Sequence, residues 1–225
     1  MHFGDNNDKH KYYMNGIELE ESLCEKDVGV FVSHDLKPSI HCTRAANKAN
    51  TVLGMMARTF HYRDKVVWIN LYKTFVRPHL EYASSAWNPW FVRDIEALEK
   101  VQKRAIKMCS GLRGQNYEER LKEVDLDPLF LRRKKIDMIQ VWKIINKFDD
   151  IEEDKFFERL NVRATRQTRA VSDPLNLRKK DSRLDLRRRF FTNKVIDDWN
   201  SIPTEIKSIK KIRSFKNKLN EFFAQ

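Results

Sequence analysis

Residues that interrupt helices or cross-link chains are scarce in this sequence of 225 residues, which has only 6 Gly, 6 Pro and 3 Cys. Few glycines and prolines leave little room for long loops, so a helix-rich fold is expected. Three widely spaced cysteines exclude a disulfide framework and indicate a reducing, intracellular compartment, nuclear or cytoplasmic. There is no apolar run of about 18 residues, so no membrane contact through a spanning helix is expected.

The motifs of the common enzyme classes are also missing. The sequence has no P-loop, no GxSxG or HExxH motif, and no CxxC or HxxxH spacing. Two acidic doublets, Asp149-Asp150 and Asp197-Asp198, are the remaining candidates for magnesium. The first follows a helix end and the second lies within a helical pattern, where neighbouring side chains diverge. No catalytic residue, metal ligand or cofactor is therefore assigned.

Positive charge is abundant. Lys and Arg number 44 against 32 Asp and Glu, a net charge of +12. Residues 163–194 contain eleven bases and three acids, and they carry eight of the twelve net charges. Because a solvated surface more often mixes both signs, this concentration favours contact with nucleic acid. A membrane surface and plain solvation are the alternatives.

Only the N-terminal 35 residues have a β pattern. Asn15-Gly16 between strand-like flanks indicates a two-residue hairpin turn, and DVGVFVS (27–33) predicts a third short strand. The opening MHFG resembles the end of a strand, which suggests a piece of a longer chain; a short initiating strand is the alternative. Without neighbouring strands, Phe3, Val30 and Val32 are expected to be exposed.

From Pro38 onward the apolar spacing is helical, which predicts a mainly α fold. The predicted helices are Pro38–Phe60, Asp64–Asn88, Asp94–Cys109, Tyr117–Val124, Pro128–Phe148, Asp185–Trp199 and Ser214–Phe223. The tract 149–180 shows no sustained periodicity and is interpreted as a linker-like basic segment.

Pro78 lies in the middle of the second predicted helix. Its missing N–H and its ring predict a bend or break there; the alternative is that one helix ends and another begins. The residues predicted to form the buried stripe of this helix are Val67, Leu71, Phe75, Tyr82 and Ala86.

Six segments together resemble one known family. They are EKDVGVFVSHDLKPSIHC, KANTVLGMMARTF, LYKTFVRPHLEYASSAWNP, DIEALEKVQKRAIKM, YEERLKEVDLDPL and FFTNKVIDDWNSIP…SFKNKLNEFF. Their content and order are similar to the C-terminal part of reverse transcriptases of non-LTR retrotransposons of the LINE-like, jockey and chicken-repeat type. The resemblance covers nearly the whole chain.

The resemblance implies four parts. These are a residual palm β piece (1–35), a helical thumb-like domain (36–148), the linker-like basic segment (149–180) and a C-terminal helical extension (181–225). The family's primer-grip hairpin matches Asp27, Val28, Gly29 and Val30. The family's catalytic Tyr/Phe-Ala-Asp-Asp motif precedes this region and is not in the sequence, so the chain is not expected to polymerise alone.

Basic residues are the candidate phosphate contacts, because a thumb lays its helices along an RNA–DNA hybrid. On the helices they are Lys65, Lys73, Arg77, Lys103, Arg104 and Lys107. In and after the basic segment they are Arg178, Lys179, Lys180, Arg183, Arg187, Arg188 and Arg189. Ordinary solvated charge is the alternative for each. Phe190 and Phe191 are predicted to be core residues rather than base-stacking ones.

The function implied is that of a nucleic-acid-binding fragment of an RNA-directed DNA polymerase, with RNA, DNA or their hybrid as partner. An alternative is an element-derived protein-interaction module that binds a protein through exposed N-terminal strands. A third is a cut gene of an active polymerase. Salt-dependent binding of a hybrid separates the first two.

Overall fold

The computed structural model describes residues 1–4, 7–160 and 173–224, and 56% of these described residues are helical, so the predicted mainly α fold is confirmed. The strands are β1 (Tyr13–Met14), β2 (Ile17–Glu18), β3 (Cys24–Asp27) and β4 (Val30–Ser33). The helices of the first half are α1 (Ser39–Thr59), α2 (Lys65–Leu71), the π-helical segment Tyr72–Val76, α3 (Arg77–Glu81), α4 (Ser84–Trp87), α5 (Val92–Lys107) and α6 (Tyr117–Glu123). The later helices are α7 (Leu129–Ile145), α8 (Glu153–Phe156), α9 (Asp185–Arg189), α10 (Phe191–Ser201), α11 (Thr204–Lys207) and α12 (Ile212–Phe223).

The chain divides into two compact units, Met1–Arg132 and Arg133–Gln225. The boundary between them lies within α7. Leu129 belongs to the core of the first unit, whereas Met138 and Trp142 belong to the core of the second. Helical periodicity shows that each turn of α7 buries a face, but it does not show which core that face enters.

Both N-terminal sheets are two-stranded antiparallel hairpins. The predicted turn Asn15-Gly16 joins β1 to β2, with φ of 50° and 78°. The single strand predicted over 27–33 is wrong: Val28 and Gly29, with φ of 43° and 84°, form a second turn that pairs Cys24–Asp27 with Val30–Ser33. Two successive positive φ values suit the right-handed twist of a hairpin, and valine is an uncommon residue there.

The second hairpin packs on the helices of the first unit, contrary to the predicted exposure of its apolar residues. Val30 is half-buried against the hydrophobic core, and Val32 is also half-buried. The Phe31 N–H donates to Nδ1 of His41 on α1 at 3.1 Å. Only Phe3 of the three residues is exposed as predicted. Val30 and Val32 are half-buried because the hairpin contacts the helices, and a strand pattern in the sequence does not reveal such a contact.

The helix around Pro78 buries a different face from the predicted stripe. Val67, Phe75 and Tyr82 are all exposed, at 49%, 52% and 55%. The buried residues recur at every fourth position: Trp68, Tyr72, Val76 and Leu80. A repeat of four exceeds the 3.6 residues of an α turn, so the prediction drifted onto the wrong face.

The irregularity at Pro78 is a change of helix type. Residues Tyr72–Val76 form a π-helical turn, and Pro78 follows in the first turn of α3. In the wide turn each N–H reaches five residues back, and a proline in a first turn does not need its missing N–H. The chain thereby passes the proline and keeps the four-residue repeat of buried side chains.

A buried polar network ties α5 to the start of α7. The Glu99 carboxylate accepts the backbone N–H of Leu129 at 3.0 Å and also the hydroxyl of Tyr117. Gln102 donates to the same hydroxyl and to the carbonyl of Asp127, both at 3.0 Å. Glu99 therefore accepts the first free N–H of α7. This contact with a neighbouring helix is distinct from any interaction of Glu99 with the dipole of its own helix, α5.

The second unit has an aromatic core. The Trp142 and Phe215 rings stack with centroids 5.5 Å apart, and Trp199 packs near the same Phe215 at 6.3 Å. Phe157 and Leu177 are buried in this core. The described parts of the predicted linker-like segment thus carry core residues, whose isolated positions left no periodic signal.

Candidate nucleic-acid interface

Three of the predicted basic residues, Arg178, Lys180 and Arg187, line one pocket of the second unit. Its volume is about 130 Å³. The other residues around it are Lys155, Phe156, Glu158, Phe190 and Thr192. Four cations thus face a single carboxylate, an arrangement that attracts anions.

The segment that carries Arg178 is anchored by two residues of α10. The indole N–H of Trp199 donates to the carbonyl of Leu175 at 2.9 Å. The Asn200 amide accepts from the N–H of Leu177 and donates to its carbonyl, both at 2.9 Å. Asn200 therefore pairs with Leu177 as a neighbouring strand would, and it fixes the backbone that leads into the basic residues.

A buried lysine holds the same segment. Lys207, 2% exposed, donates to Asp173 at 2.9 Å and to the side chain of Asn176 at 2.7 Å. Burial opposes ionisation of Asp173, but hydrogen bonds from the Leu175 N–H and from Lys207 prevail and hold the pKa of the carboxyl below its ordinary value. The ion pair is therefore formed at neutral pH, and it stabilises one wall of the pocket.

Phe190 separates the two helices that the sequence pattern joined into one. Its backbone is extended, with φ −65° and ψ 146°, which ends α9 and begins α10. Phe190 is 51% exposed and the Arg187 guanidinium lies 5.1 Å from its ring centroid. The prediction that Phe190 is a core residue is wrong, whereas Phe191 does pack against the core.

Two pairs of consecutive phenylalanines flank the pocket, and in each pair the first ring is exposed and the second packs against the core. Phe156 and Phe190 are exposed and line the pocket, while Phe157 and Phe191 pack inside with centroids 6.0 Å apart. Each pair follows a base in the sequence, Lys155 in the first case. Sequence reasoning overlooked the first pair, although this repeated pattern of base and two phenylalanines was visible. An exposed ring beside a cation is suited to stacking on a nucleobase.

Several of the remaining bases are engaged in exposed ion pairs. Lys179 pairs with Asp197, Arg178 with Glu158 at 2.9 Å, and Arg189 with Asp185 at 3.7 Å. Such pairs contribute only about 0–1 kcal/mol, so exchange for a phosphate partner costs little. The guanidinium of Arg188 donates to the carbonyls of Ser182 and Arg183.

Three predicted bases of the second unit have no acidic partner in the described part of the chain; Lys180 and Arg187 line the pocket and Arg183 does not. Within residues 1–4, 7–160 and 173–224, no carboxylate lies in ion-pair range of Lys180, Arg183 or Arg187. Arg163, Arg166 and Arg169 of the predicted basic segment lie outside the described residues.

The candidates near Pro78 are more enclosed than those in the second unit. Arg77 is half-buried and shares the carboxylate of Glu81 with Arg132. Burial, followed by the charge of Arg132, lowers the pKa of Arg77. Lys65 pairs with Glu123, and Lys73 is half-buried. Arg77 thus already has a structural partner inside the first unit.

The three candidates on α5 are exposed. The Lys103 ammonium lies 4.9 Å from the ring centroid of Tyr117. Arg104 is 3.5 Å from the side-chain oxygen of Asn50, and Lys107 ends the helix. All three belong to the first unit.

Asp27–Val30, the four residues that the resemblance matches to a primer grip, lie at the end of the second hairpin, where Asp27 pairs with Val30. The Tyr82 hydroxyl donates to the carbonyl of Val28 at 3.1 Å, and a Cβ on Gly29 would lie 3.1 Å from the Tyr82 ring. Gly29 suits this position because its φ is positive and because a side chain there would press on the Tyr82 ring.

The acidic doublets take part in local contacts. Asp149 accepts from Gln140 at 3.1 Å, and Asp198 pairs with Lys134 at 2.7 Å. Across the described part of the chain, no three His, Cys, Asp or Glu residues are grouped so as to hold a metal ion. None of the helices in that part is long and apolar enough to span a membrane.

The cationic pocket, its exposed rings and its anchored wall define the candidate interface. Comparison of the chain with protein-family models, with curated proteins and with solved structures finds no match.

Proposed function

We propose that this chain binds nucleic acid, as a fragment of a non-LTR retrotransposon reverse transcriptase without the catalytic motif. The observation that carries the proposal is the pocket of the second unit, where Lys180 and Arg187, which have no acid in ion-pair range among the described residues, line the same pocket as the exposed ring of Phe190. Cations neutralise phosphates whatever the sequence, and an exposed ring accepts any base.

The chemistry of the pocket favours binding over catalysis. It offers cations and aromatic rings, and its single carboxylate, Glu158, is paired with Arg178. Phosphoryl transfer by a polymerase requires carboxylates that hold two metal ions. We expect binding of RNA, DNA or their hybrid with little sequence preference and without primer extension. The reducing compartment inferred from the cysteines suits such a partner.

Fluorescence anisotropy with a labelled RNA–DNA hybrid tests the proposal. The pocket variant Lys180→Gln/Arg187→Gln should bind more weakly and lower the slope of log affinity against log salt by about two. The matched control is Arg213→Gln/Lys216→Gln, which removes the same two residue types from exposed positions of α12. An unchanged slope in the pocket variant would contradict the proposed interface.

A protein-interaction module is the second candidate, because the first hairpin offers an uncovered surface. Tyr13, Met14 and Ile17 are all exposed on strands that pair only with each other among the described residues. Paired strands with open edges can accept a strand of another protein. Absence of hybrid binding at low salt in the parent chain would favour this function.

A further inference from the structure

A second basic concavity lies in the first unit, at the C-terminal end of α5. Its volume is about 620 Å³. Its polar and charged lining residues are His61, Arg63, Arg104, Lys107, Ser110 and Arg113, and it is called the α5 groove below. No acidic side chain is among its lining residues.

The four cations of this groove have no acidic partner in the described part of the chain. Arg63, Arg104, Lys107 and Arg113 take part in none of the ion pairs there, whereas Lys65 nearby pairs with Glu123. Arg104 has only the neutral side chain of Asn50 within reach, at 3.5 Å. Four like charges in one concavity repel one another, and an anion that enters it relieves that repulsion.

The helix dipole accounts for only part of this charge. Arg104 and Lys107 lie in the last turn of α5, where cations are favoured in any helix. Arg63 precedes α2 and Arg113 follows α5, so neither belongs to a helix end of that kind. The chain thus adds two cations to the same groove from connecting segments.

Arg63 is held in place before any ligand arrives. Its Nη2 donates to the carbonyl of Ala57 at 2.9 Å, and its guanidinium lies 5.3 Å from the ring centroid of Trp68. Its Nε is buried and has no hydrogen-bond partner in the part of the chain that the structure describes. A guanidinium that is already held in place loses less side-chain freedom when it binds a phosphate.

Two neighbouring groups bear on the charge of the groove. Burial, and to a lesser degree Asp64, raises the pKa of the Cys109 thiol to about 11, so the sulfur is neutral at pH 7. The Asp64 carboxylate accepts the N–H groups of Val66 and Val67 as the cap of α2, and it offsets part of the positive charge. It is not among the lining residues, and the four cations outnumber it.

We propose that this groove is a phosphate-binding site of the first unit, separate from the pocket of the second unit, and that it takes two or more phosphates of a linear polyanion. Its volume and its four cations exceed what a single phosphate needs. Phosphates of this kind come either from a nucleic-acid backbone or from a free polyphosphate. The two sources are distinguished by using both as probes.

The test uses the full chain with inorganic tripolyphosphate and with an RNA–DNA hybrid. The groove variant is Arg104→Gln/Lys107→Gln/Arg113→Gln, and the matched control is Lys48→Gln/Lys100→Gln/Lys122→Gln, three exposed lysines of the same unit outside the groove. The groove variant should lose about tenfold or more in affinity and about two to three in salt slope for the hybrid. The control should bind as the parent does, and all three proteins should keep the same thermal midpoint.

Each combination of binding results supports or overturns the groove inference. If the parent binds both probes and the groove variant loses both, the groove contacts a nucleic-acid backbone. If only tripolyphosphate binds, and the groove variant loses it, the site stands with a free polyphosphate as ligand and the proposed function fails. If the groove variant binds as tightly as the control, the groove inference is overturned while the proposed function stands. Binding of neither probe by the parent overturns both.

Discussion

A buried charge of opposite sign has a structural role in each unit. In the second unit a buried cation, Lys207, holds the backbone, whereas in the first unit a buried carboxylate, Glu99, holds the start of α7. At the surface the units are alike, because each contains bases paired with acids and also bases that have no acid in ion-pair range among the described residues, such as Arg187 and Arg104. The number of bases is therefore a poor guide to ligand contact; the position of the acids decides which bases are available.

The largest expected effect is the loss of stability when the buried cation is removed. Lys207→Ala should lower the free energy of unfolding of the second unit by about 3–5 kcal/mol, because Asp173 then remains as a nearly buried charge without its partner. Urea unfolding measured on the full chain checks this. Lys210→Ala, an exposed neighbour, is the control and should change stability by less than about 0.5 kcal/mol. Equal effects of the two variants would show that the buried pair is not what holds the segment.

The corresponding change in the first unit is Glu99→Ala. It removes the acceptor for the Leu129 N–H and for Tyr117, so we expect a loss of about 2–3 kcal/mol. The control Glu96→Ala lies on the exposed face of α5 and should have little effect. Thermal unfolding of both variants provides the measurement, and a neutral Glu99→Ala would contradict a network held by charge.

The aromatic pairs of the second unit allow ligand binding and core packing to be tested separately. Phe190→Ala should weaken hybrid affinity by about 1–3 kcal/mol and leave the thermal midpoint unchanged, because its exposed ring contributes little to the core. Phe191→Ala should lower the midpoint, since that ring packs against Phe157. Anisotropy and thermal scans on both variants distinguish the two. A Phe190→Ala variant with parental affinity would remove the ring from the interface.

The smallest effect concerns the hairpin of the first unit. Burial lowers the pKa of His41, and its Nδ1 must be unprotonated to accept the Phe31 N–H. Stability from this group is therefore present above the unfolded pKa near 6.5 and is lost as pH falls through the lowered value. Amide exchange in β4, corrected for intrinsic rates, should accelerate relative to α1 as the solution is acidified. His41→Gln should remove that dependence, and His61→Gln should retain it.

Local chemistry predicted part of this structure well. The helix predicted to begin at Asp64 does begin there, with the Asp64 side chain accepting two N–H groups of α2, and Asn15-Gly16 forms the predicted turn. Both features depend on a few adjacent residues, so no distant contact is needed to place them. The candidate pocket was predicted less completely. Arg178, Lys180 and Arg187 were named, but Lys155 and Phe156 were missed because they are distant in sequence.

By itself the sequence determined the mainly α class, the two-residue turn of the first hairpin and the excess of positive charge, all of which follow from composition and short-range spacing. The tertiary structure alone decided three further features. It set the buried face of the helix at Pro78, the outward position of Phe190 and, among the described residues, which cations have no acid in ion-pair range. Each of these depends on which distant residues share a core or an ion pair, and burial and pairing are properties of the folded chain rather than of any short segment.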